Sequence, residues 1–501
     1  MKSVFKAVAT ITIFSVLTRA LGFFFRIFLS RKLGAEGLGL YQIATSVIGV
    51  FMTLIASGIP LTTAKLVSKH EANNDILKRN KTVSSAFVIS VILSLVCSLV
   101  IYLFKSVWNI ILTDNRAVEL IIILIPSIIF SAIYSVLRGA IWGKSDYFSC
   151  GLTELLEQII RFILTFIMLY STTNCFVSAK YSAIAFNITC FTSAVIVLII
   201  YLKSSKFNFK SGEYKNIIKS AAPITGVRIA NSMVQPLTTL IIPNMLMLSG
   251  YSANEAVSSL GVVMGMTFPL LFVPMAVIGS ISMVLIPSIS SLMSKNDYTS
   301  IENNINQSIK VSVFISMIFI PLYLSVGDLI GIVLFNNSYS GILLQTSAIC
   351  VLPITICNLT GSILTALNLE VKSFINYIVG SLVLILSLVL LTPLLKINSV
   401  IISFFLSMST ISLLNLRKIK KAVPNLRFNL INTSFKYSLI IVPSSILGHF
   451  ISNISLYSFN PFISAVIGGS ISICSVLILI KLFNIFDFIE IKKLILKKKK
   501  N

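Results

Sequence analysis

The sequence predicts an all-α integral membrane protein of about fourteen transmembrane helices. Three observations carry this. Of 501 residues, 56% are hydrophobic and only 11% charged, against roughly 25% charged in a soluble domain. The mean hydropathy is +0.96. Apolar stretches of the length a bilayer demands, about 20 residues each, recur from end to end. Runs such as Ile121–Ile125 and Val383–Leu391 lack the period-2 alternation of a barrel strand, so helices are the spanning element.

Spans are expected at 8–30, 38–64, 83–104, 117–142, 150–171, 181–202, 217–247, 258–292, 304–326, 340–366, 372–394, 398–416, 433–455 and 461–484. The first follows Lys2 and Lys6, as a signal peptide would. It is too long for such a core, and Arg19 and Arg26 interrupt it. The seven cysteines are scattered without C-x-x-C spacing and read as small apolar fillers, so no metal or cofactor is implied.

The formal net charge of +24 is unevenly placed. Basic clusters run from Lys65 to Lys81, Lys203 to Lys219 and Arg417 to Lys436, with a tail at Lys497–Lys500. These fall on the termini and the even-numbered connections. The odd-numbered connections hold only Arg31, Lys32, Lys105, Arg116, Lys180 and Lys396. Short loops rich in Lys and Arg stay cytoplasmic, so both termini are expected there and the number of spans is even. The basic loops lack aromatic interleaving, which points to anionic membrane lipid and not to nucleic acid.

No connection is long enough for a separate soluble domain, so the helices themselves must carry the function. Two short matches relate one half to the other. Lys6, Ala9, Ile11 and Thr12 recur as Lys219, Ala222, Ile224 and Thr225. Ile59-Pro60 with Ser68-Lys69 recurs as Ile286-Pro287 with Ser294-Lys295. Both relate a span to the sixth one after it, which implies two parallel six-helix lobes. Residues 1–203 form the first, 204–420 the second, and 421–501 add two further spans and a basic tail. Pro223, Pro236, Pro243, Pro269, Pro274 and Pro287 crowd spans 7 and 8, which reads as bending transporter helices.

Charges within spans are costly at about 2.5–3.5 kcal/mol on insertion scales and need a partner or a wet cavity. Arg19 and Arg26, seven residues apart, share one face of span 1, which contains no acid. Guanidinium forks match phosphate oxygens, so an anionic ligand suits them. Arg228, Asn231 and Gln235 follow i, i+3, i+7 spacing in span 7 and read as cavity lining, or as an interhelical seam. Glu154, Glu157 and Arg161 share a face of span 5, with Glu157 and Arg161 in the favourable i, i+4 order. A structural pair and a gating or coupling role both fit them. Arg138 is expected simply to reach the headgroups. No nucleophile–base pair and no nucleotide-binding loop is visible, so no enzyme is expected.

The stretches Thr18-Arg19-Ala20-Leu21-Gly22-Phe23-Phe24-Phe25-Arg26 and Leu33-Gly34-Ala35-Glu36-Gly37-Leu38-Gly39-Leu40-Tyr41-Gln42 resemble the stage V sporulation protein B-like group, in the polysaccharide-exporter branch of the MOP flippase superfamily. Glu157-Gln158-Ile159-Ile160-Arg161 and Pro223-Ile224-Thr225-Gly226-Val227-Arg228 look like further patches of it. The resemblance implies two pseudo-symmetric six-helix lobes of MATE-like fold, two C-terminal helices and alternating access. It also implies a substrate, an undecaprenyl-pyrophosphate-linked saccharide with lipid II first in line, and a place in the bacterial cell membrane beside cell-wall synthesis proteins. In the related MurJ flippases, arginines of spans 1, 2 and 8 line the cavity. Arg19 and Arg26 match the first of these sets, spans 2 and 8 have none, and Arg228 supplies a charge elsewhere.

Three other readings compete. A Na⁺- or H⁺-coupled multidrug exporter of this fold would need cavity acids, for which Glu154 and Glu157 are available. A membrane glycosyltransferase would need an acid near the outer face; Asp114, Glu255 and Asp328 are placed for it, on short loops. A non-transporting scaffold of a cell-wall or spore-cortex complex is the third.

Overall fold

The computed structural model describes residues 2–209, 212–423 and 430–483, without the side chains of 2–9, 227, 231 and 430–438. Among the described residues the structure is helical throughout, with no strand. The helices are α1 (Lys2–Ala56), α2 (Gly58–Ala72), α3 (Ile76–Leu103), α4 (Lys105–Ile111), α5 (Asn115–Gly143), α6 (Tyr147–Met168), α7 (Cys175–Ser204), α8 (Tyr214–Ser232), α9 (Val234–Leu248) and α10 (Ala253–Leu260). A π-helical turn (Gly261–Thr267) leads into α11 (Phe268–Leu271), α12 (Val273–Ser294), α13 (Tyr298–Phe335) and α14 (Ser338–Ser347). A 3₁₀ turn then joins α15 (Val351–Ala366), α16 (Glu370–Leu395), α17 (Asn398–Ala422), α18 (Leu430–Leu456) and α19 (Pro461–Leu482).

Eleven helices among the described residues are long and apolar enough to cross a membrane. They differ from the fourteen expected spans in three places. The first two spans run as one apolar stretch, Thr10–Ala72. Glu154, Glu157 and Arg161 put three charges in α6, and span 7 is divided between α8, with Lys215, Lys219 and Arg228, and the short α9. Charge and helix breaks therefore mark the segments where the sequence departs from plain hydrocarbon solubility.

Helix α1 does change direction. Gly34 has φ 66° and ψ −176° within it, a region that is essentially glycine-only. Tight turns elsewhere combine a left-handed residue with an N-cap. Asn74, Ser145 and Asn296 have φ of 54°, 63° and 55°, and each precedes an aspartate whose carboxylate accepts the first free amides of the next helix.

Packing divides the chain into two compact units, Met1–Gly265 and Met266–Asn501. In the first, α1 is the central helix and packs against α5, α6, α7, α8, α9 and α10. Small residues permit the closest approaches: a Cβ on Gly39 would stand 2.1 Å from the Val257 carbonyl oxygen of α10. In the second unit, α13 packs against α12, α14, α15, α18 and α19. Its core joins Ile305, Ile309 and Val313 to Leu359, Ile363, Val476 and Ile480. Asn376, Asn415 and Thr360 form a buried hydrogen-bonded seam there, at 2.9 and 3.2 Å.

Candidate functional site

All the candidate site residues fall in the first unit. Aromatic contacts fix the orientation of α1: Phe14 meets Phe148 at 5.5 Å between centroids, and Phe28 meets Phe162 and Phe166 of α6 at 5.6 and 5.5 Å. At 100° per residue, this seam turns Arg19 and Arg26 roughly 150° away from it. Arg19 is exposed and Arg26 half-buried, and neither makes an ion pair or hydrogen bond among the described residues.

Arg228 on α8 is exposed and likewise lacks an acidic partner among the described residues. The expected stripe through Asn231 and Gln235 is interrupted, because α8 ends at Ser232 and α9 begins at Val234. The Asn231 side chain lies outside the described residues. Gln235 is exposed near the start of α9, and its carbonyl accepts the hydroxyls of Thr238 and Thr239, both at 2.8 Å. Thr239 in turn meets Ser46 at 3.4 Å, and Gln42 donates to Ser46 at 3.4 Å. This polar seam joins the second half of α1 to α9. Since α1 packs against both α8 and α9, the three unpaired arginines sit on neighbouring helices of one unit.

A second polar group lies on α5 and α6. Arg161 pairs with Glu157, and Arg138 pairs with Glu154. The second pair corrects the expectation that Arg138 reaches for headgroups. An acid at this depth needs a counter-charge, and α5 supplies it across the turn at Ser145. Arg138 lies over the Tyr134 ring at 6.0 Å, and Arg161 over Phe186 at 5.0 Å. Tyr134, which sequence reasoning missed, lies within electrostatic range of Glu157, Arg138 and Glu154. Tyr41 links the two groups, because both Arg161 and Arg26 act on it electrostatically. Its place in the Leu40-Tyr41-Gln42 patch was the available signal.

At the Lys/Arg-poor end of this unit, Arg116 pairs with Glu36 beyond the α1 kink and with Asp114, both at 2.7 Å. It also donates to Asn254 at 2.7 Å. Lys180 pairs with Glu119 at 2.5 Å. Of the acids considered for glycosyl transfer, Asp114 is thus engaged, and Glu255 caps α10 with Ser252. Asp328 stays half-buried in α13, with one carboxylate oxygen unpartnered among the described residues.

The helical architecture has close counterparts. The lipid II flippase MurJ in an inward closed conformation superposes with TM-score 0.72 at 16% identity, over 94% of this chain and 98% of that one. A multidrug resistance MATE family transporter of the MOP superfamily, in an inward-facing conformation, gives 0.69 at 14%, over 84% and 98%. This chain thus shares the all-helical, multi-pass fold of these two proteins. Stage V sporulation protein B of Bacillus subtilis (strain 168) is 25% identical over 425 residues, 82% of either chain. The family described as polysaccharide biosynthesis protein matches residues 4–293, and the chain belongs to it.

Proposed function

We propose that this protein flips a lipid-linked saccharide pyrophosphate across the bacterial cell membrane by alternating access, with both termini cytoplasmic and lipid II the first candidate substrate. The observation that carries the reading is the trio Arg19, Arg26 and Arg228, cations without acidic partners among the described residues. A pyrophosphate leaving water loses its hydration and counter-ions, and guanidinium groups held in a wet cavity replace both. The lipid tail stays in hydrocarbon while the head is exposed first to one side and then to the other. Gln235 lines the same pathway, and the lobes 1–203 and 204–420 are its repeated halves. Cell-wall synthesis proteins would supply or receive the substrate.

The exporter reading rests on the MATE-like fold and needs a free acid to bind a coupling ion. Glu154 and Glu157 are instead each held by an arginine, which favours the flippase. The test uses purified protein in liposomes given a fluorescent undecaprenyl-pyrophosphate disaccharide, with and without a membrane potential. Each of Arg19→Ala, Arg26→Ala and Arg228→Ala is expected to slow translocation by about tenfold or more, the loss of one charge-assisted hydrogen bond. Unchanged rates in all three would remove the proposal.

A further inference from the structure

The two polar groups of the first unit differ in kind. Arg19 and Arg26 of α1 and Arg228 of α8 have no acidic partner among the described residues, whereas the α5–α6 group holds two guanidiniums and two carboxylates in two pairs. An anion approaching the second group meets carboxylates and gains nothing net. Its unfilled capacity is for hydrogen bonding. The Tyr134 hydroxyl and the Nε atoms of Arg138 and Arg161 are buried and without a hydrogen-bond partner among the described residues; the hydroxyl is turned toward Glu157 but falls outside hydrogen-bonding geometry. Donors left in this state want neutral oxygen acceptors. Beside them lie the aromatic rings of Tyr134 and Phe186, each with one face toward a guanidinium. Hydroxyl and acyl oxygens on a ring with apolar C–H faces are the chemistry of a saccharide.

We propose that the Tyr134–Arg138–Arg161 group is a saccharide subsite, adjoining a pyrophosphate subsite on α1. This rests on the flippase reading and adds to it a division of labour. Tyr41 is in electrostatic range of both Arg26 and Arg161, so the two subsites adjoin.

The test measures binding of two probes to the full chain in nanodiscs: undecaprenyl pyrophosphate alone, and the same lipid bearing a disaccharide. Tyr134→Phe keeps the ring and removes the hydroxyl. It is expected to weaken the disaccharide-bearing lipid about fivefold, one hydrogen bond's worth, and to leave the bare lipid unchanged. Arg26→Ala is expected to weaken both. Thermal melting of each variant establishes that it folds, and Glu157→Gln, expected to lower sugar discrimination as well, provides an independent second variant. Equal effects of Tyr134→Phe on the two probes, or none on either, overturn the subsite while leaving the flippase intact. If Arg26→Ala, Arg19→Ala and Arg228→Ala alter neither probe, the underlying flippase reading fails instead. If Tyr134→Phe changes only the Na⁺ or pH dependence of transport, the group serves a coupling ion and the saccharide assignment is wrong.

Discussion

An arginine in hydrocarbon is informative because it is expensive, and here the arginines divide by partner. Arg138 and Arg161 are neutralised by Glu154 and Glu157; Arg19, Arg26 and Arg228 have no acidic partner among the described residues. The pair Glu157–Arg161 was legible from its i, i+4 spacing. The pair Arg138–Glu154 was not, since it spans sixteen residues and a helix turn, and only the rule that a membrane acid needs a counter-charge pointed to a missing partner. A double-mutant cycle of Arg138→Ala and Glu154→Ala, read by thermal unfolding in detergent, is expected to show coupling of about 0.5–3 kcal/mol. Either single substitution strands a charge and costs more than the double; simple additivity would contradict the pairing.

At the level of elements, Gly34 separates the first two spans without a loop. Hydropathy placed both segments, but glycine is common in membrane helices, so the sharp change of direction was not readable from the sequence. A Cβ at Gly34 would find room, with only the Cys175 Sγ at 3.6 Å. The cost of Gly34→Ala is therefore conformational, about 1–3 kcal/mol, and a lowered melting temperature with unchanged oligomeric state is the expected result. The turn before α13 offers a pH test. Hydrogen bonds from Ser300 and Thr299 hold the Asp297 carboxyl below the usual carboxylate range. A depressed carboxyl stabilises the fold above its unfolded value and loses that contribution as pH falls through its folded value. Asp297→Asn retains a capping oxygen but removes this titration, so its acid-side loss of stability is expected to be shallower than that of the parent in unfolding curves between pH 6 and pH 3.

For the molecule as a whole, the fold class was legible because apolar length is a strong signal, while the span count blurred wherever function or bending put charge or proline into a span. The charge asymmetry predicts an orientation with both termini cytoplasmic. Single cysteines at Asn296, in the turn before α13, and at Ser458, between α18 and α19, are expected to react with an impermeant thiol reagent from opposite sides of the membrane; labelling from the same side would refute that topology. The Arg116 junction adds a kinetic consequence. One guanidinium, one-third exposed to solvent and its ions, ties together the segment after the α1 kink, the start of α5 and the start of α10. Screening by salt acts within roughly 10 Å at 0.1 M, so electrolyte on its side of the membrane alone loosens the junction. If parting α10 from α5 limits turnover, transport will quicken as ionic strength rises on that side, and Arg116→Gln will be fast and indifferent to it.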